Sequence, residues 1–375
     1  MPAAAPTLTL TKPVERVVAH GHPWIYRDAL EPHEIAPGKI ATVLDRQGRF
    51  LARGIVERGP IGVRVFVRSD VPLDDALIAR RLEDAIALRR AHWPADTTAV
   101  RLVHGEGDLL PGVVVDVYGA VAVLRLDGQA IERFRGALVA TLAQMLPELG
   151  VETLLERSGR GDTRRVQALW GALPDGLVEV REHGMRMPVD LIAGQKTGLF
   201  LDHRDARLRV RSLASGARVV NLFGYTGGFS MAAGLGGAAH VDTVDVASGA
   251  IALAREGWAR NGLDASAHEA HTVDVEKFLN AAKQQGTSWE LVIADPPSFA
   301  PNEAARESVT RGTTATGARR SRRTGACGHV ADTPFDRRSA DSASSRSDSG
   351  AERASSPSFA KSNPCRSRSF SDSAD

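Results

Sequence analysis

Residues 218–230 read RVVNLFGYTGGFS, a short apolar run that breaks on glycines and then resumes. Val219, Val220, Leu222 and Phe223 are what a strand buried on both faces requires. Gly224, Gly227 and Gly228 permit the turn, and a helix-like pattern returns at Phe229. Strand, glycine turn and helix in that order predict an α/β domain with this turn at the carboxyl edge of a parallel sheet. Glycine lets backbone approach a ligand, and the free amides at a helix start suit a polar or anionic group. Close packing of strand on helix would ask for the same glycines. The spacing is not G-x-G-x-x-G, which disfavours a nicotinamide or flavin site.

Three later strands strengthen the ligand interpretation, because each ends in a carboxylate. The run 241–246 (VDTVDV) carries Asp245, the run 268–273 leads to Asp274, and 291–294 leads to Asp295 in ADPPSF. Ligands collect at the carboxyl ends of parallel strands, where a carboxylate after the second strand can hold ribose hydroxyls. Asp245 would also serve as a helix N-cap. Pro296 and Pro297 remove two amide donors and fix two φ angles, giving a rigid loop or simply a turn that stops the strand.

Together NLFGYTGGFS, the acidic VDV, ADPPSF and the upstream GQKTGLFLDHRDAR (194–207) resemble one family. It is that of the S-adenosylmethionine-dependent ribosomal RNA methyltransferases that act on carbon 5 of a large-subunit cytosine. The resemblance implies a Rossmann-like methyltransferase domain whose Phe223, Gly224, Tyr225 and Gly227 line the methionine and ribose part of the cofactor. It also implies that Asp245 takes the ribose and Asp274 the adenine. Asp295 would also border the cofactor and, with Pro296 and Pro297, position the target base. The loop carrying Gln195, Lys196, Asp202 and Arg204 would lie over the cofactor, with Lys196 near the base or its phosphate; a solvated helix start is the plainer account of these charges. Ribosomal RNA is the implied partner, and a homodimer is left open.

In chain order, residues 1–70 predict a small β domain with strands at 41–44, 50–56 and 61–66, separated by Gln47-Gly48 and Gly59-Pro60. Residues 1–69 hold ten Lys plus Arg against six Asp plus Glu, a net of +4, with Arg53 and Arg64 among the arginines around the strands. Such a surface suits phosphates or is an ordinary solvated face. GHPWIY (21–26) ahead of the strands resembles the PUA domain that heads the same family, which favours RNA and makes Arg53 and Arg64, beside Lys196 and Arg204, candidate RNA contacts. His20 and His22 lack further ligands and are assigned to the surface rather than to a metal.

Residues 73–93 predict a linking helix with Leu77, Ile78, Leu82, Ile86 and Leu88 at helical spacing. An α+β middle domain follows at 95–190, expected as two strands, a helix and two strands. Its last two strands meet at the tight turn His183-Gly184. Glu106, Asp108 and Asp116 are explained as turn residues. No long apolar run stands at the start or elsewhere, so a cytoplasmic protein without a membrane span is expected.

Composition decides the last stretch. Residues 306–375 contain no Leu, Ile, Met, Trp or Tyr, and hold thirteen Lys plus Arg against eight Asp plus Glu. Too little apolar surface is present to offset backbone ordering, so disorder is expected, with the methyltransferase domain at 191–305 incomplete. The abrupt loss of aliphatics after DPPSFAPNEAA reads as translation in a shifted frame. Methylating carbon 5 of a pyrimidine needs a nucleophile at carbon 6, ordinarily a thiolate. The resemblance puts that cysteine in a Ser-Cys-Ser turn, which this chain lacks: its two cysteines are Cys327 in TGACGH and Cys365 in SNPCRS. No catalytic cysteine is assigned. The alternatives are a non-catalytic RNA-binding protein or a methyltransferase acting on guanine in ribosomal RNA; a nucleotide-dependent oxidoreductase is remote.

Overall fold

The computed structural model describes residues 5–128, 130–159 and 163–296. Pro297 and the stretch 306–375, with the disorder expected there, lie outside the described residues.

The first domain contains β1 (Thr7–Thr9), α1 (Glu15–Ala19), β2 (Trp24–Tyr26), β3 (Ile40–Leu44), β4 (Phe50–Val56) and β5 (Ile61–Val67), in the sheet order β1-β3-β4-β5-β2. Alternation places Leu8, Ile25, Val43 and Val63 inside with Val18 of α1. The expected three strands are thus flanked by two three-residue strands too short for a periodic signal. Gly54 is required by packing: a Cβ there would lie 2.1 Å from the Arg64 carbonyl oxygen, where β4 shifts register against β5.

Helix α2 (Asp75–Ala91) starts on Asp74, whose side chain accepts from the Leu77 amide. It buries Ile78, Leu82, Ala85 and Ile86, while Leu88, expected on the same face, is exposed. These side chains share one core with Ile55 and Phe66 of the first domain and with Leu102 and Leu138 of the next. The helix is therefore a common wall between two domains rather than a free spacer.

The middle domain consists of β6 (Ala99–His104), β7 (Val113–Tyr118), β8 (Val121–Leu126), α3 (Arg135–Met145), β9 (Thr153–Ser158) and β10 (Arg165–Trp170), in the order β10-β9-β8-β7-β6. Three strands precede the helix, not two, and β10 pairs antiparallel with β9. The hairpin β11 (Val178–Glu182) and β12 (Met185–Val189) forms a separate sheet. Its turn residues His183 and Gly184 both have positive φ, 48° and 79°, as a two-residue hairpin requires. Val180, Met185 and Met187 pack between Tyr118 and Leu155 on one side and Met231 on the other, joining the middle domain to the last.

The last domain runs α4 (Arg204–Leu213), β13 (Arg218–Leu222), α5 (Gly228–Leu235), β14 (His240–Asp245), α6 (Ser248–Arg260), β15 (His268–Thr272), α7 (Val275–Gln285) and β16 (Leu291–Ala294). Its sheet, β15-β14-β13-β16, is parallel throughout. Val219, Val241 and Trp258 fill one face; Val220, Leu222, Val244 and Val275 fill the other. Coverage on both faces explains why β13 reads as a largely apolar run. Because all four are parallel, their carboxyl ends form a single rim.

Candidate cofactor and substrate site

On that rim the chain leaves β13 through Phe223 and Tyr225, both in the left-handed region at φ 57° and 46°, and enters α5 from Gly227 at φ 75°. Non-glycine residues rarely sit there, and their clustering is typical of ligand sites. Packing already accounts for the two glycines. A Cβ on Gly224 would stand 2.8 Å from Thr243 Cγ2, and one on Gly227 2.7 Å from Ala254 Cβ.

Asp245 points to a ligand instead. Its Oδ2 accepts from the Tyr225 amide and its Oδ1 from the Ala247 amide, each at 2.9 Å. The carboxylate is thereby pinned across the turn at the end of β14. An ionised carboxylate has about four lone-pair sites, so two remain to accept hydroxyls. Ala247, not Asp245, is the N-cap of α6. Asp274 does cap α7: its Oδ1 accepts from the amides of Glu276 and Lys277, and it stays exposed.

The 194–203 loop is fastened to the same turn. The Gln195 amide donates to Tyr225 Oη at 2.9 Å, and the Tyr225 ring meets Phe200 edge-on at 5.4 Å. Burial pushes the Tyr225 hydroxyl above its usual pKa, which keeps it a neutral phenol. His203 packs against Phe200 and Phe229, and its Nδ1 lies 3.5 Å from Asp295 Oδ2. That contact joins the loop to the end of β16, where Asp295 and Pro296 are exposed.

The four expected RNA contacts fare unequally. Lys196, at φ 48°, holds its Nζ 3.8 Å above the Phe200 ring and 3.8 Å from Asp202, and remains accessible. Arg204 borders a cavity of about 490 Å³ with Arg101, Trp93 and His104. Arg64 is corrected: it is 8% exposed and bound to Glu57 at 2.7 Å and Glu106 at 3.1 Å, so its charge ties two domains together and is not offered to a phosphate. Arg53 is corrected likewise, its guanidinium being spent on Asp70, Thr42 and the Val71 carbonyl.

Asp116 lies in a strand rather than a turn, and Glu106, though in the turn Gly105–Asp108, uses its side chain elsewhere. Asp116 is fully buried on β7, where it receives Arg101 at 2.8 Å and the Thr197 hydroxyl at 2.5 Å. Glu106 binds Arg64 and Trp24 across the domain boundary. Asp108 does have the expected turn role, accepting from the His104 amide. His203, Phe200 and Arg207 were not singled out; the HRDAR run beside GQKTGLF was the available signal.

Comparisons with known proteins agree with this architecture. A family model described as S-adenosylmethionine-dependent methyltransferase matches residues 129–308, and one for a PUA-like domain matches 8–68. A ribosomal RNA large subunit methyltransferase of Deinococcus radiodurans is 36% identical over 82% of this chain and 80% of its own length. Ribosomal RNA large subunit methyltransferase I of Salmonella arizonae is 35% identical over 82% and 78%. The solved structure of SMU.776, complexed with SAH, superposes with a TM-score of 0.72 at 27% identity, over 80% of this chain and 78% of that one.

Proposed function

The chain belongs to the S-adenosylmethionine-dependent ribosomal RNA large subunit methyltransferases, and from that premise we propose that its site is built to methylate carbon 5 of a cytosine in large-subunit ribosomal RNA. The observation that carries this is the single rim on which the glycine turn, Asp245, Asp274 and Asp295 all stand. S-adenosylmethionine, when bound, supplies an electrophilic methyl group. Phe223, Gly224, Tyr225 and Gly227 line its methionine and ribose part, and Asp245 accepts the ribose hydroxyls with its two remaining lone-pair sites. Asp274 offers its Oδ2, which makes no hydrogen bond among the described residues, to the adenine amine. Asp295, steadied by His203, holds the base edge together with Pro296 and Pro297, of which Pro297 lies outside the described residues. Lys196 and Arg204 meet the RNA.

The described residues contain no cysteine, the two in the chain being Cys327 and Cys365. The attack on carbon 6 therefore has no thiolate among them, and slow transfer is the expected behaviour of this chain. The same observation favours a second reading, a chain that binds donor and RNA without transferring a methyl group. Calorimetric titration with S-adenosylmethionine, followed by tritiated-methyl transfer to large-subunit ribosomal RNA, tests both. Saturable donor binding with label on cytosine supports the first, and binding without label supports the second. Absence of donor binding overturns the cofactor assignment.

A further inference from the structure

A separate cavity of about 690 Å³ opens between the first and middle domains, lined by Arg58, Arg125 and Arg157 and by Arg64, whose charge is already taken up by Glu57 and Glu106. Their charge is only partly matched from within. Glu57 neutralises Arg64 at 2.7 Å, and Asp127 approaches Arg125 no closer than 4.0 Å. The remaining acid, Glu132, is exposed, and its pKa is raised first by burial and then by the charge of Glu156. Arg58 is exposed and makes no ion pair among the described residues.

Arg157 is the most telling. It is 3% exposed, yet its Nη1 has no hydrogen-bond partner and no carboxylate faces it among the described residues. Its Nη2 donates to the carbonyls of Ile192 and Gly194, the residues that open the loop fastened to Tyr225. Burial beside Arg164 already weakens its hold on the proton. An anion in the cavity, which Arg157 lines, offsets that buried charge. The forked donors of arginine match a phosphate better than any other common biological anion apart from a carboxylate.

We propose that this cavity is a phosphate-binding subsite for the backbone of the RNA, apart from the methyl-transfer rim and coupled to it through Arg157 and the 192–194 carbonyls. The proposal rests on the ribosomal RNA reading. It is tested on the full chain and two variants, Arg157→Gln and, because Arg157 also supports a loop, Arg125→Ala on the more open wall. Inorganic phosphate is titrated by calorimetry, and a fluorescein-labelled fragment of large-subunit ribosomal RNA by anisotropy at several salt concentrations. SAH binding serves as a control for the rim. The expected result is phosphate affinity reduced about fivefold or more in both variants, with the slope of log K against log salt for RNA falling by about one per arginine removed. SAH binding by Arg125→Ala is unchanged. Equal phosphate affinity and equal RNA slopes in all three chains overturn the subsite while leaving the ribosomal RNA reading intact. A wild-type chain that binds phosphate but no RNA overturns that reading, and the subsite with it.

Discussion

Tyr118 Oη and Thr197 Oγ1 stand 2.9 Å apart in a buried seam between the middle domain and the loop over the rim. Thr197 has one hydroxyl proton and donates it to Asp116 at 2.5 Å, so Tyr118 must be the donor to Thr197. Tyr118 in turn accepts from the Leu199 amide at 3.2 Å. The bonds run in one direction and end on a carboxylate held by Arg101. Burial raises the Tyr118 hydroxyl far above its usual pKa, so it keeps the proton that this chain of donors needs.

Tyr118→Phe leaves the Leu199 amide without its acceptor and Thr197 without its donor, both in a dry seam. A stability loss of about 1–3 kcal/mol is expected by urea denaturation. Donor affinity should fall as well, since the loop bonded to Tyr225 loses an anchor. A variant as stable as wild type would show that the seam is hydrated.

Lys196→Ala should weaken RNA binding more than binding of S-adenosylmethionine. The ammonium is accessible and rests over Phe200, while among the described residues no hydrogen bond ties it to the glycine turn. Anisotropy with RNA and calorimetry with the donor compare the two losses. Equal loss of both would remove Lys196 from the RNA surface.

Asp245→Asn replaces one acceptor by an amine, so either the Tyr225 or the Ala247 amide then faces a donor. Affinity for the donor should drop about tenfold, equivalent to about 1.4 kcal/mol. RNA affinity measured without the donor should not change. Wild-type donor affinity in this variant would exclude Asp245 from the ribose.

Local patterns made the last domain legible, because a strand covered on both faces and a glycine turn each leave their mark within a dozen residues. Partners distant in sequence did not. Arg64 looked like one of several surface arginines, and only the fold brings Glu106 to it from 42 residues away. Asp116 was grouped with Glu106 and Asp108 as a turn residue, although it lies between valines inside β7. The strand RVQALW was missed because β10 is a sheet edge with little buried surface to impose alternation. Gly224 and Gly227 were visible, but their close neighbours Thr243 and Ala254 were not.

Acid should destabilise the last domain through His268. Burial, then the charge of Arg255, lowers its pKa from 6.5 to about 4, and it stacks on Trp258 at 4.4 Å while bonding to Thr243. The unfolded chain therefore takes up this proton before the folded one does. Stability should fall as pH drops from about 6.5 to 4, with no further contribution above or below that window. Allowing for its partial exposure, the change is about 1–2 kcal/mol. Denaturant titrations at pH 7.5 and 4.5 should show it in wild type and show less of it in His268→Gln.

The strongest single dependence is expected at Glu182 and Arg207. Glu182 on β11 receives both forks of Arg207 on α4, at 2.7 and 2.6 Å, and both side chains are buried. Arg207 also donates to the Phe200 carbonyl at 3.0 Å, so the pair fixes the residue on which Lys196 rests. Glu182→Leu strands a buried guanidinium and should cost about 3–5 kcal/mol. Adding Arg207→Met removes the stranded charge, so the double variant should recover most of that loss. Its stability would then approach wild type while RNA binding stays weakened, because the Phe200 carbonyl has lost its donor. Urea denaturation of the four chains closes the cycle, and additive losses would mean that the two side chains do not depend on each other.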